Sequence, residues 1–290
     1  MTNPTMGGRL MVSVGGTTYV ADPASKESFD RKKQKLQMAN ASRFNTIDYY
    51  DGDAECKVTV TKPVIDSDAD FLTLLGLGAT VADPTPTPIV FALPTRTTTV
   101  TNCVCDTVTL DFNRGKAIMI TAEFLSTDPP DETAGYTVAP TATYGHVMYW
   151  KDIVNFFTIA SDNLKQFSQF QVKLSHNLFP YYGIRDDGLT LPTSLTACNA
   201  DVDGTFKKLL TDDADYAAFL LPCDVPGDIG IVVSPFCVTE SPVILTITAK
   251  NCKYSAPVRD GAITQAYEET FKFMAENIAA SNPLVATLAA

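Results

Sequence analysis

The sequence predicts a mainly β fold made of two tandem β-sandwich or barrel domains, each flanked by one short α-helix. Three observations carry that reading. Short runs alternate apolar with polar residues, as at Cys56, Val58 and Val60 or Phe170, Val172 and Leu174, which is the period of a half-buried strand. Two segments, DSDADFLTLL (66–75) and TDDADYAAFL (211–220), start in Asp and turn apolar, so each reads as a short helix whose first-turn N–H groups an Asp carboxylate caps. Their Asp-Ala-Asp-aromatic cores, at Asp68 and Asp213, stand 213 − 68 = 145 positions apart, half of the 290 residues.

A second set of anchors repeats at nearly that spacing. Asn102-Cys103 and Asn251-Cys252 are separated by 251 − 102 = 149 positions, and the turn glycines Gly115 and Gly261 by 261 − 115 = 146. Ordered anchors at one spacing point to an internal duplication; the alternative is that both halves use common cap and hairpin chemistry. The expected boundaries are 1–125 for the first domain, 126–145 for a linker, 146–274 for the second domain and 275–290 for a C-terminal tail.

In chain order, 10–20 reads as two strands turning at Gly15-Gly16. Residues 22–38 are polar and hold the basic cluster Arg31, Lys32, Lys33 and Lys35, read either as a solvated loop or marginal helix or as a contact arm. A strand through Cys56 to Val60 leads to the first helix. Residues 82–94 carry Pro84, Pro86, Pro88 and Pro94 and are expected to be an extended loop outside any central sheet. A hairpin follows through Leu110, Phe112, Ile118 and Ile120, and then a linker rich in Pro, Thr, Asp and Gly. Strands at 153–159 and 167–174, the second helix, a Pro-rich loop and a hairpin of 243–248 with 263–274 complete the second half. The last residues read as a frayed end or a tail for a partner.

Composition excludes several function classes. The net charge of −11 and pI near 4.6 argue against ordinary nucleic-acid binding, which needs cations to displace counterions. No run of about 18 apolar residues suggests a membrane span, and the first residues lack the basic-then-apolar order of a secretory signal, so synthesis and assembly in the cytoplasm are expected. Seven scattered cysteines fit buried cytosolic thiols; Cys103 and Cys105 put two thiols on one strand face with no second ligand pair nearby, so no metal is expected. The Asp clusters lack the Gly and closing Glu of a calcium loop. Asp51, Asp53 and Glu55 read as a solvated strand face. Phosphate-loop and nucleophile-elbow spacings are absent, only two histidines occur, and neither a cofactor nor a catalytic set is expected.

FSQFQVKLSHNLFPYYGIRDDG (167–188), DGTF (203–206), the helix at 213–220 and ITAKNCKYSAPVRDGAITQAYEETFKF (247–273) together resemble the major tail tube proteins of long-tailed, siphovirus-like bacteriophages. The resemblance covers about 156–274 and, more weakly, 51–124 through AECKVTV and NRGKAIMITAEF; 22–38 and 82–94 depart from it. It implies a structural virion protein, not an enzyme, whose hairpins close an inner barrel in rings that stack into a tube for DNA ejection. The implied partners are further copies of the chain, the tape measure, terminator and tail tip proteins, and genomic DNA passing through without specific binding. An acidic, lysine-poor wall suits such a conduit. Duplication further predicts that three chains make a ring of six tube domains. Alternation nominates Thr121 and Glu123 of the first hairpin, and Glu268, Thr270 and further Glu269 of the second, for the lumen, with the outer surface as the alternative. Arg31, Lys32, Lys33 and Lys35 are nominated for ring-to-ring contact. Competing readings are another virion ring component, a tail terminator or a decoration protein, and a carbohydrate-binding or hydrolase β-sandwich.

Overall fold

The computed structural model describes residues 11–20, 25–37, 46–78, 83–93, 96–134, 145–160, 167–186, 188, 190–209, 214–220, 226–235, 243–260, 268–276 and 282–289. The first series of elements is β1 (Met11–Val14), β2 (Thr17–Val20), β3 (Lys26–Gln37), β4 (Thr46–Pro63), α1 (Ala69–Leu74), β5 (Thr87–Leu93), β6 (Arg96–Asn113), β7 (Met119–Ser126) and β8 (Asp131–Ala134). The second is β9 (Ile153–Phe157), β10 (Phe167–Ser175), β11 (Phe179–Tyr181), β12 (Ser194–Thr196), β13 (Asp201–Leu209), α2 (Ala214–Phe219), β14 (Gly227–Val233), β15 (Ile244–Asp260), β16 (Glu268–Ala275) and β17 (Leu284–Ala289). Fifteen of the strands form one antiparallel sheet, and β11 with β12 makes a separate ribbon.

Strand order recurs along the chain. β3, β4, β7 and the C-terminal part of β6 lie side by side, and so do β10, β13, β16 and the C-terminal part of β15. The N-terminal part of β6 lies between β5 and β8, as that of β15 lies between β14 and β17. Register recurs too: Cys103 faces Ser126 and Cys252 faces Ala275, a shift of 149 on both strands (252 − 103 and 275 − 126). Asn102 and Asn251 both take the left-handed backbone, at φ 50° and 51°, a region Asn enters more readily than most residues. The thiols that follow them point back to the carbonyls of Val100 and Ala249, at 3.4 and 3.3 Å.

The two series meet where Thr107–Asn113 of β6 pairs with Gln169–Ser175 of β10. Alternation buries Phe170, Val172 and Leu174 and turns Gln171, Lys173 and Ser175 to the other face, as the sequence predicts. Phe156 on β9 packs over Phe167, Phe170 and Phe206, with ring centroids 4.1–5.8 Å apart, so the outer strands fold over β10 and β13. Phe206 stacks on Phe271 at 5.0 Å, and Phe112 meets Phe170 at 5.5 Å across the junction. A Cβ at Gly204 would overlap the Phe273 ring, so only glycine lets that ring lie on β13.

Several segments differ from expectation. Residues 26–37 form a strand, neither loop nor helix, because β4 supplies a ladder along nearly the whole length. Residues 87–93 are a strand paired on both edges, with β1 and β6; Pro88 is tolerated because it sits at the bulge between Thr87 and Ile89, where its missing N–H breaks no ladder bond. The linker contains β8, and the tail contains β17, which pairs with β15 rather than waiting for a partner. The predicted turns at 161–163 and around Gly261, and the cap at 211–213, lie outside the described residues.

At α1 the expected aspartate cap is not made. Asp68 occupies the N-cap position but makes no side-chain bond to the helix. Its carboxylate instead accepts the Ile65 N–H at 2.8 Å and the Lys62 ammonium at 2.6 Å, with both side chains almost wholly buried. Lys62 lies over the Tyr19 and Phe71 rings, 4.5 and 5.0 Å from their centroids. Burial lowers the pKa of Lys62 and raises that of Asp68, while their contact opposes both shifts. Removing one partner leaves a buried charge without compensation. Asp68→Asn is therefore expected to cost about 3–5 kcal/mol in urea denaturation, and the apolar pair Lys62→Met with Asp68→Leu to recover most of it; equal losses would show that packing, not charge pairing, governs the site.

Candidate functional site

Period two gives the sheet a buried face and a polar face, and the polar one is where the nominated residues must be placed. One row across it runs Thr61, Thr121, Thr109, Lys173, Asp203 and Met274. The next row holds Thr59, Glu123, Thr107, Ser175 and Asp201. Thr61 and Thr121 share a hydroxyl contact at 3.2 Å, Thr107 donates to Glu123 at 3.3 Å, and Gln171 donates to Asp111 at 2.6 Å.

Thr121 is half-buried and Glu123 exposed on β7, and Glu268 and Thr270 lie half-buried on the corresponding face of β16. Thr121 and Thr270 occupy equivalent places: Thr121 faces Thr109, and Thr270 faces Val258, again 149 positions on (258 − 109 and 270 − 121). Glu269 is different. It is 1% exposed and alternates onto the side of Phe271 and Phe273, opposite Lys208, which is also buried. Lys208 follows Phe206 at period two and so was legible as core-facing; its meeting with Glu269 depends on a strand register that no local pattern reveals.

The polar face carries lysines as well as carboxylates. Lys57, Lys173, Lys207, Lys253 and Lys272 share it with Glu55, Glu123, Asp111, Asp201, Asp203 and Glu268. The charges interleave: Lys57 contacts Glu55 at 3.0 Å, Lys253 contacts Glu276 at 2.7 Å, and Lys173 faces Asp203. Interleaved charge separated by hydroxyls gives a polyanion no continuous cationic track.

Arg31, Lys32, Lys33 and Lys35 lie on β3, where Arg31 faces Ala54, Lys33 faces Asp51 and Lys35 faces Tyr49, with a bulge between Arg31 and Lys33. β7 accompanies β4 only along Cys56–Pro63, so the 31–37 and 46–54 stretch continues as a two-stranded ribbon without a third strand among the described residues.

The junction between the series is more elaborate than a ladder. Asp106, the bulge residue of β6, accepts the His176 N–H on its carbonyl at 2.7 Å and the Leu178 N–H on its carboxylate at 3.0 Å. His176 Nε2 donates to the Leu75 carbonyl at 3.3 Å. Gly76, at φ +80°, lets the ring approach, since a Cβ there would stand 2.8 Å from His176 Cε1. Arg185 donates to the Thr127 carbonyl at 2.7 Å, and Asn282 to the Gly76 and Gly78 carbonyls at 2.6 and 2.8 Å.

Cys103 and Cys105 are buried, and burial pushes the Cys103 thiol up to about 12 and Cys105 up as well, so neither offers a thiolate. No group of metal-ligating side chains occurs among the described residues, and no described helix is long and apolar enough to cross a membrane.

A continuous antiparallel sheet with one polar face and, among the described residues, marginal strands carrying a neighbour on one edge only defines a mainly β protein with open strand edges. The family is specific: the chain matches the model of the phage tail tube protein over residues 8–229 and belongs to that family. It is a structural component of the phage tail tube. The match includes 22–38 and 82–94, which the sequence resemblance had set apart, and stops before β15. No curated protein matches the chain.

His176 gives the junction a pH dependence. Burial, opposed by the Leu75 carbonyl, Asp106 and Asp83, holds its pKa below that of a free imidazole. The unfolded chain therefore takes up the proton first as pH falls; the stabilisation is complete above about 6.5 and is lost below it. In urea titrations between about pH 7 and about pH 5, His176→Gln is expected to flatten the loss of stability; an unchanged slope would place it elsewhere.

Proposed function

We propose that the chain carries two tandem tube domains and that three chains close a pseudo-sixfold ring, which stacks into the tail tube of a siphovirus-like phage. The observation that carries this reading is the recurrence of strand order and register at a shift of 149, which gives one chain two equivalent four-strand sets. Six such sets then come from three chains. In this reading the polar face carrying Thr121, Glu123, Glu268 and Thr270 lines the channel through which DNA is ejected. The buried Glu269 serves the sheet behind it. The tube forms in the host cytoplasm with tape measure, terminator and tail tip proteins, and its chemistry is mechanical rather than catalytic.

Negative-stain microscopy with mass photometry tests the ring: closed rings are expected at three times 31.3 kDa. Rings of six chains would overturn the trimer.

The ribbon carrying Arg31, Lys32, Lys33 and Lys35 is placed at the contact between successive rings. Reversing all four charges is expected to leave ring mass unchanged while shortening or abolishing stacks. Normal tubes from that variant would remove the basic cluster from the ring-to-ring contact.

A further inference from the structure

The junction inside the chain defines a second junction between chains. The C-terminal part of β6 has β7 on one edge and β10 on the other. The equivalent part of β15 has β16 on one edge and, among the described residues, no strand on the other. β10 has β13 on one edge and β6 on the other, whereas β3 has β4 alone. The chain thus presents one edge of each kind that its own junction joins.

Register converts this into specific pairs. β15 follows β6 by 149 positions, and β3 precedes β10 by 145: Ser28 faces Lys57 as Lys173 faces Asp203, with 173 − 28 = 145 and 203 − 57 = 146. The Thr109–Lys173 pair therefore maps onto Val258 and Ser28, and its neighbours onto Arg259 with Glu27 and Asp260 with Lys26. Two adjacent pairs thus place opposite charges across from one another. Like charges directly opposite would be unfavourable, so this register is electrostatically consistent.

We propose that the open edge at 256–260 of β15 pairs antiparallel with the open edge at 26–30 of β3 in the next copy, in that register. Resting on the tail tube reading, this assigns the ring contact to two named edges. The interface is head-to-tail, so it closes into a ring when the rotation allows and leaves no edge open. Pro257 suits an edge strand that must not pair with every passing strand.

Cysteine pairing tests it, because antiparallel partners about 4.5–5.5 Å apart at Cα are within disulfide reach. Purified full chains carrying Ser28→Cys with Val258→Cys, or Glu27→Cys with Arg259→Cys, are assembled and oxidised, with single-cysteine variants controlling for native thiols. At least one pair is expected to give reductant-sensitive covalent oligomers ending at the closed ring, and the displaced pair Ser28→Cys with Arg259→Cys is expected to give none. Assembly without linkage at either pair, or with equal linkage at the displaced one, overturns the proposed edge while leaving the tube reading intact. Failure of the native chain to form rings or tubes overturns both. As a second measurement, Arg259→Glu is expected to lower ring yield severalfold and Glu27→Arg in the same chain to restore it; a folded double variant that remains unassembled counts against the register.

Discussion

Backbone pairing between β6 and β10 holds the two series of strands in one sheet. A sheet interior must satisfy every N–H and C=O, and a strand left at a margin seeks a partner. β6 meets this by dividing its length, giving its first part to β5 and β8 and its last part to β7 and β10. The bulge at Asp106 then uses a carbonyl and a carboxylate to hold the start of the 176–200 excursion. Phe112 against Phe170 fills the space behind the ladder. Hydrogen bonding, a buried ring pair and a local irregularity thus converge on one seam.

Much of this was legible because side-chain period and local chemistry are encoded within a few residues. Phe170, Val172 and Leu174 announced their buried face, and the Asn102 and Asn251 anchors marked two turns in backbone conformation that the structure shows to be alike. What failed was whatever depended on distant partners. Polar β3 looks like a solvated segment until β4 is placed beside it, and Pro88 looks disruptive until the bulge is seen. β17 has an indistinct pattern because its order comes from β15.

The site shows the same division. Alternation puts Glu268 and Thr270 on the polar side, and the same period turns Glu269, nominated beside them, into the core. Asp68 is a subtler case. Its position at the helix start is legible locally, while a lysine six residues earlier takes its carboxylate into the core. Net charge is a poor guide to the polar face, where lysines and carboxylates alternate.

The attachment of the last strand has a temporal meaning. β17 lies along β15, Ala286 donates to the Leu77 carbonyl, and Asn282 grips the two glycine carbonyls after α1, more than two hundred residues earlier. Chains emerge from the ribosome in order, and early units fold first. The loop after α1 therefore waits for residues made more than two hundred positions later, and a chain cut before them lacks the piece that fastens α1 to β15. Such a latch keeps the surroundings of α1 incomplete until the far half of the fold has been made.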